Sequence, residues 1–517
     1  MQPKSPPLFA MTRVALRVVL VLALCFGGSA PRTGTAQAPD APLPDSAAVV
    51  GEEPAATPVG ALRPAALGRF EDDLAALERF RPGYRFWTHI FTRPDGSIVF
   101  GSAEDGRLLA TFPSGGDWHA TGEWADPGVA GALDGRSLPR RLGDRRDEVA
   151  LALEDALGPV VHNPTRGDFL TPGAERYGSF LEEWGRIYER FGVPAELGLA
   201  QAVVESGFSG TIKSPARAIG FCQWLPRNWE RLQSLTPHVI EVENQTTQAA
   251  YCAAHLAVLS TKYGSFIPAL SEHHAGATNV GRTVINGERL GAGDVRERYF
   301  TGGLYARDVR TLSPRTFRDV VGSYGPRSFL YAEMVFGNMS TVAALRESTG
   351  QERIVALRVP RAVPIDEAVR RSGLSRDEVE RFNPALVRRV PANATLYLPH
   401  APSDLGHDVS FWHQPAPPGF TEVLDDFLAL DAPLTTWEDP AFEGVLQDFR
   451  RRFRETGSEE GRVMDAVIGY VLQEIPLSRR ILDDFRSDPD VERLFERGVE
   501  LRVQALTDSG TGRGSSR

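Results

Sequence analysis

Hydrophobic residues recur at helical spacing along most of this chain, with three or four residues between successive apolar positions. The regions with this pattern are 67–80, about 145–157, 170–345 and 418–507. The last region shows it most clearly, in Phe442, Val445, Leu446, Phe449 and Phe453. A stripe of this kind buries one face of a helix. The pattern therefore predicts a mainly α protein.

A different pattern precedes the long helical region. Tyr84–Thr92, Ser97–Gly101 and Arg107–Phe112 are strand-like runs, separated by the turn sequences Pro94-Asp95-Gly96 and Asp105-Gly106. They predict a small antiparallel β meander within an N-terminal α/β region, residues 66–165. The sequence assigns no role to this region.

Both ends of the chain carry segments that predict no packed core. Residues 37–65 are rich in Ala and Pro, which is typical of a disordered linker. Residues 508–517 are mostly small and polar, and a disordered tail is expected there. The length of 517 residues exceeds one hydrophobic core, and about three or four domains are expected.

The N-terminus predicts export. Arg13 and Arg17 precede the apolar run 18–26, and Gly34-Thr35-Ala36 fits a small-x-small cleavage site. We therefore expect a signal peptide over 1–36 and a location in the periplasm or cell envelope. An uncleaved anchor is the alternative, although this run is short for a bilayer core about 30 Å thick. A lipid anchor at Cys25 fits less well, because Leu24 stands where a small residue is expected.

Charge and cysteine content narrow the choice of partners. The net charge of −10 argues against general nucleic-acid binding, which needs clustered positive charge. Outside the signal segment the cysteines are Cys222 and Cys252. In an oxidising compartment they either pair or remain two buried thiols.

Glu205 is the first candidate for chemistry. Pro194 is placed to open a helix, Gly207 to end it, and Glu205 then lies in the last turn. The negative end of the helix dipole and the apolar neighbours would both raise the pKa of this carboxyl. A glutamate that keeps its proton near neutral pH can act as a general acid. A solvated helix-end glutamate with an ordinary pKa is the alternative.

Two segments around Glu205 carry a family resemblance. Glu205-Ser206-Gly207-Phe208 and the later run from Ser214 to Pro226 resemble the signature of the soluble lytic transglycosylase (SLT) domain. Ala275-Gly276 and Tyr331 resemble two further blocks of that family. The resemblance implies a lysozyme-like helical SLT domain over 170–345. It also implies that Glu205 is the acid/base and that Ser206 and Gln223 orient it or hold substrate.

The chain departs from the family at two blocks. His273-His274 replace the usual Tyr-Asn pair, and Arg327-Ser328 replace Glu-Thr before Tyr331. By position, His273, His274 and Tyr331 are expected to bind substrate. A protonated His274 near Glu205 would lower the pKa of the carboxyl. Glu272-His273-His274 does not predict a metal site, because adjacent helical residues point about 100° apart. No metal or cofactor is expected.

The sequence around Glu205 contains no second carboxylate. From Ser206 through Trp229 there is no Asp or Glu, whereas ordinary glycosidases use two carboxylates. The family resemblance implies another route. The N-acetyl group of the sugar assists, and its O6 hydroxyl closes on C1 to leave a 1,6-anhydromuramoyl end. Glu205 would first donate a proton and then accept one.

Residues 352–400 resemble a LysM module. The pattern predicts helices at Ile365–Ser372 and Arg376–Phe382 and a closing strand at Thr395–Pro399, in a βααβ order. LysM modules bind glycans that contain N-acetylglucosamine. The alternative is a small packing domain. An SLT domain before a LysM module is most similar to the membrane-bound lytic murein transglycosylase D family.

The sequence thus predicts an enzyme that cleaves the MurNAc-GlcNAc β-1,4 bonds of peptidoglycan strands, with possible peripheral association with the cell wall. Protein partners are not predicted. Two alternatives stay open: a non-catalytic peptidoglycan-binding protein, and a lysozyme- or chitinase-type hydrolase. The basic run 450–454 either contacts anionic wall polymers or forms a solvated helix face with Phe453 in the core.

Overall fold

A computed structural model describes residues 62–236, 241–322, 328–430 and 439–512. The predicted signal peptide and nearly all of the predicted linker lie outside the described residues. Helices account for 64% of the structure and strands for 8%, so the predicted mainly α class is confirmed. Among the residues described, no helix is both long and apolar enough to cross a bilayer.

α-Helices occur throughout the described ranges. In the first half they are Pro64–Phe80 (α1), Thr88–Phe91 (α2), Trp118–Thr121 (α3), Leu142–Leu157 (α4), Gly167–Tyr177 (α5), Leu181–Arg190 (α6), Ala195–Ser206 (α7), Pro226–Leu235 (α8), Gln245–Tyr263 (α9) and Phe266–Ala275 (α10). In the second half they are Ala277–Arg289 (α11), Val295–Leu312 (α12), Pro314–Val320 (α13), Tyr331–Gly337 (α14), Met339–Ser348 (α15), Ile365–Ser372 (α16), Arg376–Phe382 (α17), Pro418–Leu428 (α18), Phe442–Glu455 (α19), Glu459–Ser487 (α20) and Pro489–Gly512 (α21).

Short strands and 3₁₀ turns complete the described structure. The strands are Ser97–Ser102 (β1), Leu108–Pro113 (β2), Glu123–Trp124 (β3), Val160–Pro164 (β4), Val355–Arg358 (β5), Val363–Pro364 (β6), Arg389–Val390 (β7), Thr395–Leu398 (β8) and His407–Asp408 (β9). The 3₁₀ turns are Pro82–Trp87, Pro127–Val129, Gly178–Phe180, Ser328–Leu330 and Phe411–His413.

One large hydrophobic core holds most of the helices. α9 is buried along its whole length, including polar residues such as Gln248 and Lys262. α6, α10 and α20 pack against it. The same core includes residues of α1 and of α18–α20. The N-terminal helix and the C-terminal region therefore share a core with the helices of 170–345.

The N-terminal region contains a four-stranded antiparallel sheet in the order β3-β2-β1-β4. It has its own core, which α4 helps to form. The prediction of a strand at Tyr84–Thr92 is wrong: this segment is a 3₁₀ turn followed by α2. Pro82 starts the turn, and Tyr84, Phe86 and Trp87 are all buried without the alternation of a strand. The packing of aromatic side chains outweighs their preference for strands.

Residues 352–400 have the predicted βααβ order. β5 pairs with β8 in antiparallel register, Val355 opposite Leu398. The two helices have the predicted bounds, and a capping box formed by Ser375 and Glu378 starts the second. A separate small core lies between helices and strands. The segment also gains the β6–β7 pair and an added strand, β9, on β5.

The C-terminal region consists of helices that pack on one another and on the main core. The basic run 450–454 is a solvated face: Arg450 binds Asp465 (2.8 Å), and Arg451 binds Asp448 and Glu455. Phe453 is buried, so the second reading of this run fits the structure. α21 continues to Gly512, past residue 508, where a disordered tail was expected. Once a helix is nucleated, each added residue gains a backbone hydrogen bond.

Candidate active site

Glu205 lies in the last turn of α7, as predicted. Pro194 immediately precedes the helix, and Gly207 ends it in the left-handed region with φ +54°. A side chain at Gly207 would be strained there, and its Cβ would lie 2.4 Å from the carbonyl oxygen of Phe169. Nearly all of α7 is buried. Only 12% of the Glu205 side chain remains exposed.

Three segments that are distant in sequence bring their side chains together at this carboxylate. The Tyr331 hydroxyl, at the start of α14, donates a hydrogen bond of 2.6 Å to Glu205 Oε1. His274, from the last turn of α10, places Nδ1 3.8 Å from the same oxygen. The His274 and Tyr331 rings are stacked, with centroids 4.3 Å apart and planes 10° apart.

The charge state expected for Glu205 is corrected by this arrangement. Burial raises the pKa of Glu205, but contact with His274 and the Tyr331 hydrogen bond together lower it below the ordinary value. The prediction of a raised pKa rested on burial and the helix dipole; a lowering by His274 was expected separately, and the Tyr331 hydrogen bond was not. In the free protein Glu205 is therefore a carboxylate at neutral pH.

Tyr331 stays protonated beside this carboxylate. Burial, followed by the charge of Glu205 and the hydrogen bond to it, raises the pKa of Tyr331 well above the ordinary value for tyrosine. The phenol is therefore a fixed hydrogen-bond donor, and it stabilises the ionised form of Glu205.

His273 occupies a different position from His274, although the two are adjacent. Its Nε2–H donates to the carbonyl oxygen of Cys222 at 2.8 Å, and Trp224 Nε1–H donates to its Nδ1 at 3.3 Å. Its Nδ1 also lies 3.4 Å from His255 Nδ1. Burial lowers the pKa of His273, which keeps the ring neutral. With both nitrogens engaged, His273 supports the loop that follows Glu205, and direct substrate contact by this ring is not favoured.

Ser206 and Gln223 also support that loop. The Ser206 hydroxyl is buried and lies within hydrogen-bond distance of the carbonyl oxygens of Ala202 (3.0 Å) and Phe221 (3.2 Å). Gln223 has φ +53°, and its side-chain nitrogen donates to the carbonyl of Gly220 at 3.0 Å. Both residues were expected to orient Glu205 or hold substrate. The contacts of Ser206 are those of a residue that fixes the loop.

A disulfide joins Cys222 to Cys252, with Cα atoms 6.4 Å apart. Of the two alternatives, the predicted pair is therefore confirmed. The bond ties the loop after Glu205 to the central helix α9. Gln248, also on α9, accepts a hydrogen bond from the backbone N–H of Phe221. Gln248 could not be predicted from the sequence, because a buried polar residue in an Ala-rich helix has no recognisable motif.

Glu272 forms a buried ion pair in the core and does not contact Glu205 in the candidate active site. Its carboxylate binds Lys262 Nζ at 2.7 and 2.9 Å, and both side chains are buried. Within the described ranges, no cluster of three or more His, Cys, Asp or Glu side chains could hold a metal ion.

Two cavities lie away from Glu205. One is at the junction of α9, the βααβ segment and α20, lined by Glu241, Tyr251, Arg358, Tyr397 and Glu459 among others. The second lies between α6 and α18. The first also contains an ion pair between Arg358 and Glu459 at 3.3 Å. Glu205 lines neither cavity.

Comparison with known proteins assigns neither a family nor a function to the chain. No known protein family matches the chain. The curated proteins include none that is significantly similar to it.

Proposed function

We propose that this protein is an exported peptidoglycan lytic transglycosylase with Glu205 as its single acid/base. The observation that carries the proposal is the contact of one buried carboxylate with Tyr331 and His274, brought from three separate segments. Hydrogen bonds and ion pairs to Glu205 come from these two side chains. Tyr331 donates a hydrogen bond to this carboxylate and His274 lies beside it. Such surroundings favour a group that repeatedly gives and takes up a proton.

Glu205 must gain a proton before it can act as the acid, because contact with His274 lowers its pKa in the free protein. A bound glycan excludes water from the carboxylate, and loss of solvation raises the pKa of a carboxyl group. The bound state therefore favours the protonated form of Glu205, which can give its proton to the leaving oxygen.

The first chemical step breaks the bond between C1 of MurNAc and O4 of GlcNAc. Glu205 gives its proton to O4, and the acetamido oxygen of the same MurNAc attacks C1. Glu205 becomes a carboxylate, which the Tyr331 hydroxyl stabilises at 2.6 Å. The sugar itself supplies the nucleophile, so one protein carboxylate is enough.

The second step closes the anhydro ring. The O6 hydroxyl of MurNAc attacks C1, the acetamido group is released, and the O6 proton passes to Glu205. The carboxyl is then protonated again, ready for the next bond. No water enters the product. The new MurNAc end therefore contains one water fewer than the reducing end that hydrolysis would leave.

The βααβ segment is proposed to hold glycan near this site, as its resemblance to LysM implies. It is packed tightly on the helical body: Asn244 Nδ2 donates to the carbonyl of Phe382 at 2.8 Å, and the Thr247 and Tyr397 hydroxyls are 2.7 Å apart. A tethered second site raises the effective concentration of substrate. Deleting the segment would expose core residues, so point variants on its surface are the better test.

The direct test is Glu205→Gln. Glutamine has nearly the same shape but cannot donate and reclaim a proton. We expect murein cleavage to fall by more than the factor of about 10²–10⁴ typical of acid/base catalysis alone, because Glu205 serves both steps. The thermal unfolding midpoint should stay close to that of the wild type. Glu272→Gln is unsuitable as the control, since it breaks a buried ion pair; Glu243→Gln, in a partly exposed pair with Lys213, is suitable.

Two other functions give other results. A non-catalytic peptidoglycan-binding protein would bind murein, and both wild type and Glu205→Gln would release nothing. A hydrolase would release strands with reducing ends. If Glu205→Gln retains more than about a tenth of the wild-type rate, the role of Glu205 is wrong.

A further inference from the structure

Tyr470 lies on helix α20 of the C-terminal region and contacts Trp224, in the loop that follows Glu205. Its ring stacks on Trp224, with centroids 5.8 Å apart and planes 20° apart. It also meets the edge of His255, with centroids 5.8 Å apart. Tyr470 and Trp224 are both buried. The position of the Trp224 ring is therefore set in part by a helix more than 240 residues later in the chain.

Trp224 connects this helix to the active site. Its Nε1–H donates to His273 Nδ1 at 3.3 Å, and His273 Nε2–H donates to the Cys222 carbonyl at 2.8 Å. His273 directly precedes His274, the neighbour of Glu205. If the Trp224 ring moves, His273 loses one hydrogen-bond partner and becomes open to water.

A second contact holds α20 against the same part of the protein. Glu474 accepts a hydrogen bond from the Tyr470 hydroxyl at 3.0 Å. The same carboxylate forms an ion pair with Arg231 at 3.2 Å. Arg231 is on α8, the helix that follows the Trp224 loop. The C-terminal helix thus contacts the loop and the helix after it.

We propose that Tyr470 is a positioning residue of the active site, fixing Trp224 so that His273 keeps both of its hydrogen bonds beside Glu205. This proposal rests on the proposed function of Glu205. It assigns a role to the C-terminal helical region, which forms part of the catalytic unit through this contact.

The charged and titratable groups around His273 explain why its neutral state matters. Its neighbours are His255, His274 and Glu205, together with the Cys222 carbonyl. Burial lowers the pKa of His273, while the charge of Glu205 and the Cys222 carbonyl oppose that shift. Water admitted beside Trp224 would weaken the effect of burial. A protonated His273 would place a positive charge near Glu205 and hold it in the ionised form, which cannot act as an acid.

The test is Tyr470→Leu in the full chain, compared with two control variants. Tyr470→Phe keeps the ring and should retain most of the wild-type activity. Tyr305→Leu removes a buried tyrosine that packs against Phe495, with ring centroids 5.0 Å apart, at another contact of the C-terminal region. It measures the effect of general destabilisation. We expect Tyr470→Leu to lower kcat for murein cleavage ten- to a hundredfold with little change in KM, since small misplacements of catalytic groups have effects of about this size.

A histidine NMR titration gives a readout that does not depend on activity. The His273 ring signals, identified by their loss in His273→Gln, should titrate at the same pH in wild type and in both controls. In Tyr470→Leu their titration should move to higher pH. Trp224→Phe, which lacks the indole N–H donor, should give the same result if Tyr470→Leu folds poorly.

The two proposals can fail separately. If the His273 titration moves to higher pH in Tyr470→Leu but the wild type does not cleave murein, the proposed function is wrong and the positioning contact remains. If the wild type cleaves murein while Tyr470→Leu and Trp224→Phe leave kcat and the His273 titration unchanged, Tyr470 has no positioning role.

Discussion

Tyr331 and His274 contact the same carboxylate oxygen of Glu205 and therefore control its charge together. The Tyr331 hydrogen bond and the contact with His274 both lower the pKa of Glu205. The two rings are stacked, with 4.3 Å between centroids, so a change in one side chain shifts the other. Substitutions at these two positions should therefore both alter the rate of cleavage.

Tyr331→Phe removes the hydrogen bond of 2.6 Å to Glu205 and keeps the ring beneath His274. The carboxylate formed in the first step loses its donor, so we expect kcat to fall about ten- to a hundredfold, in line with about 1.5–3 kcal/mol for a hydrogen bond to a charged group. Initial rates on soluble glycan strands measure this. An unchanged kcat would show that Tyr331 does not stabilise the reacting carboxylate.

His274→Asn should change the pH dependence of cleavage. Contact with His274 lowers the pKa of Glu205. In the variant this effect is lost, burial dominates, and the pKa of Glu205 rises. Glu205 then keeps its catalytic proton to higher pH. The alkaline limb of kcat/KM should therefore move to higher pH.

The matched control for this experiment is His273→Gln, which removes the other imidazole of the block. An alkaline limb that stays in place in His274→Asn would mean that His274 does not set the pKa of Glu205. A limb that moves only in His273→Gln would assign that effect to His273.

At this scale the family signature predicted the position of Glu205 and named Tyr331 and His274. It did not predict that Ser206 and His273 bind backbone carbonyls of the loop. A sequence pattern gives residue types at fixed spacing, but the direction of a side chain depends on which backbone groups lie nearby. The same limit explains the pKa of Glu205: its lowering comes from donors on α10 and α14, far along the chain.

Among the elements of secondary structure, the disulfide between the active-site loop and α9 offers the clearest test. The bond closes a loop with a sequence separation of 30 residues. By the chain-entropy model it stabilises the folded state by about 3–4 kcal/mol. Cys222→Ala with Cys252→Ala should lower the free energy of unfolding by about that amount in denaturant titrations. Cleavage should also slow, because the Cys222 carbonyl holds His273.

Reduction of the wild type provides the comparison without substitution. Unfolded and reduced wild type should refold to the stability of the double variant. Equal stability of oxidised and reduced wild type would contradict the stabilising role of the bond. Two thiols that react with a labelling reagent in unfolded, unreduced protein would show that the bond is absent.

The bounds of helices were the easiest features to predict, because helical spacing and the residues that end a helix are local signals in the sequence. The two helices of the βααβ segment match their predicted bounds, and α7 ends at Gly207 as expected. The segment from Tyr84 to Thr92 was not predictable in the same way. Its aromatic residues are typical of strands, and only the core they pack into decides for a 3₁₀ turn. β4 was missed because its five residues show no alternation.

On the scale of the whole molecule, the three regions meet at a buried carboxyl group. Glu241 Oε1 accepts a hydrogen bond of 3.1 Å from the backbone N–H of Thr395, at the junction of the helical body and the βααβ segment. The cavity there also contains Arg358 and Glu459. The apolar patterns that predicted each region carried no information on which surfaces would meet, since such contacts join residues far apart in the chain.

Glu241→Gln should remove a pH dependence of stability that this junction creates. Burial raises the pKa of Glu241 from 4.5 to about 7. Between those values the folded protein holds a proton that the unfolded chain has released. The free energy of unfolding therefore falls as pH rises through that window, by up to about 3 kcal/mol. Glutamine mimics the neutral acid, so the variant should be more stable than the wild type at pH 8.

Denaturant titrations from pH 4 to 8 measure this, with Glu243→Gln as the neighbouring control. Glu243 is partly exposed, in a pair with Lys213 at 2.6 Å. The control should keep the wild-type slope. A Glu241→Gln variant with the wild-type slope would show that Glu241 is not the group that titrates.

The account depends most on the chemistry at Glu205, and the mass of the new glycan ends tests that chemistry directly. Purified murein digested by the wild type should yield muramic ends lighter by one water than reducing ends, and digestion in heavy-oxygen water should add no label to them. Glu205→Gln should yield no such ends. Reducing ends that carry the heavy oxygen would contradict the account and identify a hydrolase.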